Sequence, residues 1–203
     1  MYLIAPAGVE SVESPLEWPV ACLLLAFFSV LFAGPSMAQD AGAFSAYVSD
    51  SGEIRLPRGI REQWHHLGTW AVLDAEAPAP GFHDVYTQPE TAQAYRKTGA
   101  FPDGAVLVKE IRAFHSAPMT TGRSSWSGDV KHWFVLVKDA KGRFPEHPNW
   151  GNGWGWGLFY PSDPAKNAST DWRKDCLGCH VPAQATDWIY VQGYPQLHEE
   201  EAK

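Results

Sequence analysis

Alternation of apolar and polar side chains predicts that strands, more than helices, build this chain. The clearest case is residues 105–113 (AVLVKEIRA), where every second side chain falls on one apolar face and only Lys109 places a charge on it. A period of two is the signature of a strand with one buried face. Runs of similar character predict further strands at 69–73, 82–87, 132–138, 153–160 and 186–192.

Residues 89–98 (PETAQAYRKT) carry the signals of both ends of a helix. Pro89 suits the first helical position, and Gly99 follows directly after basic residues in the last turn. Two shorter helices are predicted: 60–66, with His65 and His66 complementing the dipole at its end, and 171–179, capped by Ser169 or Thr170. The polar residues 115–128 are predicted to form a loop and 139–142 a tight turn.

The predicted strand 153–160 (GWGWGLFY) has one bulky face and one bare face. Trp154 and Trp156 lie on the bulky face, whereas Gly155 and Gly157 lie on the other. Glycine in a strand lets a flat or bulky group approach the backbone closely. A flat cofactor, a helix or a neighbouring sheet fits this face equally well.

The first 38 residues are predicted to be a secretion signal. Residues 20–33 form an uncharged apolar run that is short for a bilayer span, and small residues at Ser36 and Ala38 suit cleavage after Ala38. An uncleaved membrane anchor is the alternative, and the absence of Lys or Arg before Val20 departs from the usual signal. We expect export to the periplasm, a flexible lead-in over 39–54, one domain over 55–197 and a charged tail over 198–203.

Composition limits the class of protein. The chain has 203 residues, 45% of them hydrophobic and ten of them tryptophan, which suffices for one well-formed core. The formal net charge is −7, and no basic stripe of the kind that binds nucleic acid is present.

The candidate chemistry lies in the motif Cys176-Leu177-Gly178-Cys179-His180. In a C-x-x-C-H motif, two cysteine sulfurs hold a haem c covalently and the histidine ligates its iron. A zinc site would need four ligands, and the third cysteine, Cys22, lies in the leader. A disulfide between Cys176 and Cys179 would give the histidine no role. Covalent attachment of one haem per chain is therefore the favoured interpretation.

The iron is predicted to be five-coordinate. No methionine follows His180, and Met119 lies upstream in a Thr- and Ser-rich segment. An electron-carrying cytochrome of the ordinary kind would supply such a sixth ligand, so a plain electron carrier is disfavoured. Four-helix cytochromes also have an open side, but the strand-rich pattern excludes a helical bundle.

Lys109 has three possible roles on its apolar face. A lysine there extends to solvent, finds a counter-charge or does chemistry, because burial of an unpaired ammonium is costly and lowers its pKa. Spacing alone favours extension to solvent.

Several segments together resemble the cytochrome P-460 family, which includes the cytochromes c-prime-beta. They are WHHLGTW, AYRKTGAFPDGAVLVKE, WGWGLF and CLGCHVPAQATDWIYV, within residues 64–194. The resemblance implies an α+β, mainly β fold: an antiparallel sheet with flanking helices around one c-type haem, usually in a homodimer. It also implies that Cys176 and Cys179 form the thioether bonds and that His180 is the proximal ligand.

In the members that give this family its name, a lysine is bonded to a haem meso carbon and hydroxylamine is oxidised toward nitrous oxide. Lys109 is the residue that matches it, whereas the c-prime-beta relatives lack the bond and bind nitric oxide or similar gases. A carboxylate before the haem cysteines can act as distal base in this family. The nearest match by spacing here is Asn167, which is no base, and Asp163 and Asp171 are the substitutes.

We therefore expect a periplasmic mono-haem oxidoreductase that oxidises hydroxylamine and passes electrons to a small cytochrome. The competing expectation is a protein that binds or scavenges nitric oxide without turnover.

Overall fold

The computed structural model describes residues 44–198, so the predicted signal, the start of the lead-in and most of the charged tail lie outside the described residues. The described chain forms one six-stranded antiparallel sheet in the order β1-β2-β3-β4-β6-β5, which confirms the mainly β fold. Its strands are β1 (His65–Val72), β2 (Gly81–Thr87), β3 (Val106–Met119), β4 (Gly122–Lys138), β5 (Trp150–Gly151) and β6 (Trp154–Phe159).

Helices lie before, between and after the strands. They are α1 (Ile60–Gln63), α2 (Pro89–Thr98), α3 (Trp172–Asp175) and α4 (Leu177–His180), followed by 3-10 turns at Val181–Thr186, Val191–Gly193 and Pro195–Leu197. Within residues 44–198, no helix has the length and apolar character needed to cross a membrane.

Helix α2 has the predicted bounds. Pro89 occupies the first turn, and Gly99 ends the helix in the left-handed region with φ 71°. The Gly99 N–H donates to the Tyr95 carbonyl at 2.7 Å, which closes the last turn. Residues within one turn of each end therefore determine where α2 begins and where it stops.

The sequence prediction at His65 and His66 was wrong. These residues begin β1, where they pair with Thr87 and Tyr86 of β2, instead of ending a helix. Helix α1 stops at Gln63 because the chain then joins the sheet edge.

The predicted loop 115–128 is instead a hairpin formed by the outer parts of β3 and β4. Pairs run from Phe114 opposite Ser127 to Met119 opposite Gly122, and the hydroxyls of Ser116 and Ser125 are 2.6 Å apart. Beyond Arg112, β3 pairs only with β4 within the described sheet. We call residues 113–131 the hairpin arm.

Both faces of the sheet are covered. One face, which includes Leu107, Leu136 and Trp156, packs under α2 and the segment after β6. The opposite face, which includes Val108 and Val135, packs under residues 44–60. The described part of the expected flexible lead-in, residues 44–54, thus contributes core side chains: Val48 is 9% and Ile54 3% exposed.

The bare face of β6 receives a tryptophan from the adjacent strand. A Cβ at Gly155 would lie 2.7 Å from the ring of Trp150, which is paired opposite Gly155. This is the side of the sheet that holds Val137, whereas Trp156 faces the C-terminal segment. Gly155 therefore accommodates Trp150, whereas a Cβ at Gly157 would lie 2.8 Å from the ring of Phe159.

Gly155→Ala is expected to destabilise the protein by about 1–3 kcal/mol, because the added methyl group has no room beside Trp150. Urea unfolding measures the change. In a Trp150→Leu background the same substitution should cost less, since the smaller side chain leaves space. An equal cost in both backgrounds would show that crowding by Trp150 is not the cause.

Candidate haem site

The turn before the cysteine motif is fixed by short polar side chains. The Asp175 carboxylate accepts from the backbone N–H groups of Thr170 and Asp171 at 2.8 and 3.2 Å, and from the Ser169 hydroxyl at 3.2 Å. These hydrogen bonds hold the pKa of Asp175 below its ordinary value. The predicted cap was wrong: Asp171, not Ser169 or Thr170, caps α3 by accepting from the Arg173 N–H at 3.0 Å.

The predicted helix 171–179 is interrupted at Cys176, which has φ −129° and ψ −45° and separates α3 from α4. Both motif cysteines are free thiols, with Cys176 buried and Cys179 exposed. Burial is the largest cause that raises the pKa of Cys176 to about 11. Two reduced sulfurs three residues apart are available to bond a cofactor.

His180, at the end of α4, is oriented by one hydrogen bond. Its Nδ1 lies 2.7 Å from the carbonyl oxygen of Trp188, and its ring packs edge-on against Trp156 with centroids 4.9 Å apart. A carbonyl only accepts, so Nδ1 carries the proton and Nε2 has a free lone pair. Burial lowers the pKa of His180 to about 4. The imidazole is thus neutral at neutral pH, the form that ligates iron.

The segment that supplies this carbonyl is not the strand predicted for 186–192. Residues 181–186 and 191–193 form 3-10 turns, and between them Asp187 and Trp188 have φ 56° and 68°. The Trp188 N–H donates to the Ala183 carbonyl at 2.8 Å. The chain therefore turns back toward His180 here.

Lys109 lies in β3 on the face that packs toward the cysteine motif. Its Nζ is 4.7 Å from the ring centroid of Phe134, the residue opposite it in β4. The pKa of Lys109 is lowered, because burial outweighs the opposing effect of charge on Cys179 and Cys176. Lys109 in turn lowers the pKa of His180, so the amine lies within electrostatic range of the whole motif. No carboxylate pairs with Lys109 in the described part of the chain.

Two histidines that the sequence analysis did not single out share this face. His83 and His132 flank Ile111, one register step from Lys109. The His132 ring contacts Phe134 and Tyr160, with centroids 5.1 and 5.9 Å apart. The pKa of His132 is lowered to about 4, chiefly by burial. The charges of Lys109, Lys131 and His83 lower it further. Strand alternation combined with the β2–β3 and β3–β4 registers would have revealed them.

His132 is expected to make the protein less stable in weak acid. Its pKa is about 4 when folded and 6.5 when exposed. The unfolded chain therefore binds the proton first as the pH falls from 6.5 to 4, and stability falls with it. His132→Gln should reduce the loss of unfolding free energy between pH 7 and pH 4.5 by about 2 kcal/mol, measured in urea. An unchanged pH dependence would contradict the assigned environment.

The acidic candidates and Asn167 have structural contacts. Asn167 Oδ1 accepts from the N–H groups of Leu158 and Ser169, both at 3.0 Å, and so ties the loop to β6. Asp171 caps α3, as described above. Asp163 is exposed in the turn after β6, where its backbone forms an isolated β-bridge with Tyr160. Among the described hydrogen bonds and ion pairs, neither aspartate is a partner of His180 or Lys109.

A mainly β domain that brings a neutral histidine, two thiols and a partly buried lysine to one sheet face fits a haem protein. The free Nε2 of His180 suits an axial ligand, and Cys176 and Cys179 suit attachment at one porphyrin edge. The family model described as Cytochrome P460 matches residues 57–191, more than half of the chain. The chain therefore belongs to the cytochrome P460 family, which implies a haem cofactor. A search of curated proteins gave no match.

Proposed function

We propose that this protein is a periplasmic mono-haem oxidoreductase that oxidises hydroxylamine. In this proposal one haem c per chain would be held covalently by Cys176 and Cys179, and His180 would ligate its iron. When bound, the haem would supply the redox chemistry that accepts electrons from hydroxylamine for transfer to a small cytochrome. The observation that carries the proposal is that Lys109, the cysteine motif and neutral His180 lie on one face of the sheet.

The protein residues have separate tasks. His180 presents Nε2, because Nδ1 is held by the Trp188 carbonyl. Lys109 supplies an amine whose lowered pKa favours the neutral, nucleophilic form. Replacing a porphyrin meso C–H bond by a bond to this nitrogen would release two protons and two electrons, which a two-electron oxidant of the peroxide class would take up during maturation. Phe134 and Trp156 keep the surroundings of these groups apolar. Asp163 and Asp171 stay candidate proton acceptors, and the fixed contacts of Asp171 make Asp163 the freer of the two.

The second candidate function is binding of nitric oxide without turnover, as in a cytochrome c-prime-beta. It is favoured by Asn167, which stands where the family can place a carboxylate and which is engaged in holding β6. A protein without a distal base would bind a small nitrogen ligand but turn it over slowly.

A homodimer is part of the proposal and is supported by the hairpin arm. A two-stranded ribbon is marginally stable by itself. The arm nevertheless exposes Met119 and Trp126, which are 50% and 44% exposed. A second copy of the chain that packs on the arm would cover both side chains.

Two measurements on the purified haem protein test the proposed function. An anaerobic assay with an artificial electron acceptor should show hydroxylamine consumption, and the ferrous spectrum should show an unusually red-shifted Soret band. An ordinary haem c spectrum without hydroxylamine consumption would favour the second candidate function, which is binding of nitric oxide without turnover. A protein that stays haem-free after expression in a host competent for cytochrome c maturation would refute both functions.

A further inference from the structure

The hydrogen bond that orients His180 depends on an unusual turn. Asp187 and Trp188 are consecutive non-glycine residues in the left-handed region, with φ 56° and 68°. Non-glycine residues rarely adopt this backbone conformation, and it persists only where neighbouring contacts stabilise it. Because the Trp188 carbonyl accepts from His180 at 2.7 Å, whatever holds the turn also holds the imidazole.

Two side chains from the sheet hold Asp187. The Lys138 ammonium, at the end of β4, lies 2.8 Å from Asp187 Oδ1, and only 13% of the Lys138 side chain is exposed. The Trp154 indole N–H donates to the Asp187 carbonyl oxygen at 3.0 Å, and Trp154 is fully buried. Lys138 and Trp154 are paired across β4 and β6, and Nζ lies 4.9 Å from the ring centroid.

We propose that Lys138, Trp154 and Asp187 form a positioning clamp that fixes the Trp188 carbonyl against His180 and so sets how strongly this histidine donates to iron. The inference rests on the proposed function only in taking His180 as the iron ligand. A partner on the second ring nitrogen fixes the tautomer and orientation of a ligating histidine and raises its basicity. Here that partner is a peptide carbonyl, and the clamp fixes its direction from the sheet.

The alternative is that the ion pair only adds stability. Lys138 touches neither His180 nor Trp188 through any described hydrogen bond, so its influence on the histidine has to pass through the backbone of Asp187. A merely stabilising pair would change the unfolding free energy and leave the histidine–iron bond unchanged. Spectroscopy of the folded haem protein therefore separates the two roles.

The test compares Lys138→Met with Lys138→Arg in the ferrous haem protein. Resonance Raman measures the iron–histidine stretching band, and spectroelectrochemistry measures the midpoint potential. In Lys138→Met we expect a lower stretching frequency. We also expect about tenfold weaker stabilisation of the ferric state, equivalent to a shift of about 59 mV toward positive potential for one electron. Lys138→Arg keeps the charge and should restore both values.

Arg143→Met is the matched control. Arg143 is also a partly buried cation, with Asp103 and Asp139 as partners, and its guanidinium lies over Phe44 on the opposite face of the sheet. This variant should lose stability with no change in the band or the potential. An equal shift in Arg143→Met, or unshifted values in folded Lys138→Met, would overturn the clamp.

If Lys138→Met does not fold, Asp187→Asn gives the same test. Asparagine tolerates the left-handed conformation and keeps an acceptor oxygen, but it loses the charge. A smaller shift of the same sign is expected, and no shift would overturn the clamp. A wild-type protein that carries haem but shows no iron–histidine band would instead refute His180 as the ligand, which is a failure of the proposed function.

Discussion

Lys109→Arg is expected to return the ferrous Soret band to that of an ordinary haem c and to lower hydroxylamine oxidation by about 10- to 100-fold, while the haem stays attached. The physical reason is nucleophilicity. Burial lowers the pKa of the Lys109 amine, so a neutral form is accessible. A guanidinium in its place does not deprotonate in proteins and cannot bond to a porphyrin carbon.

Proteolysis gives a second readout of the same bond. In the wild type, the peptide that contains Lys109 should remain joined to the haem peptide that contains Cys176 and Cys179, and in Lys109→Arg it should separate. Lys131→Arg is the control, because Lys131 is a nearby exposed lysine whose Nζ contacts only the Pro80 carbonyl among the described hydrogen bonds. A red-shifted band that survives in Lys109→Arg would show that another residue forms the cross-link.

Sequence predicted those parts of the fold that local signals determine. The bounds of α2 were correct because Pro89 and Gly99 act on the backbone within one turn. Strand β2 was correct to within one residue because its alternation was visible. The hairpin arm was missed because a two-stranded ribbon with polar groups on both sides has no apolar period to detect.

The C-terminal error has a different cause. Residues 186–192 (TDWIYVQ) have the composition of a strand, but long-range contacts from Lys138 and Trp154 hold Asp187 in a left-handed turn. Local propensity is readily overridden in this way by tertiary contacts. The turn is also what places the Trp188 carbonyl against His180, so the failed prediction lies at the candidate site.

The candidate site was only partly readable from the sequence. The cysteine motif has fixed spacing, and Lys109 was visible as the one charge on an apolar strand face. His83 and His132 were not, because their position beside Lys109 follows from the register of three strands. Register is set by turn geometry and by cross-strand packing, which a single segment does not contain.

The largest stability effect away from the haem side is expected at Glu110. This residue is 4% exposed, and it accepts hydrogen bonds from Arg61, from Arg112 at 2.9 Å and from the Trp133 indole N–H at 2.8 Å. Burial opposes its ionisation, but together these hydrogen bonds hold the pKa of Glu110 below the ordinary value. Removal of one partner from a buried ion pair leaves the remaining charges uncompensated.

Glu110→Gln is therefore expected to lower the unfolding free energy at pH 7 by about 3 kcal/mol, measured in urea. The pKa of Glu110 is lower in the folded protein than its ordinary value of 4.5. The ionised carboxylate therefore adds its full stabilisation above pH 4.5, and this stabilisation is lost as the pH falls through the folded pKa. The difference between wild type and Glu110→Gln should accordingly shrink in acid.

Glu53→Gln is the control for Glu110→Gln, since it makes the same chemical change in an exposed pair with His147 and should cost less than about 1 kcal/mol. The ferrous spectrum should be unchanged in Glu110→Gln, because Glu110 points to the face of the sheet opposite Lys109. If the two Glu→Gln substitutions lower the unfolding free energy equally, the hydrogen bonds around Glu110 stabilise the protein no more than an exposed ion pair does, which would contradict the prediction.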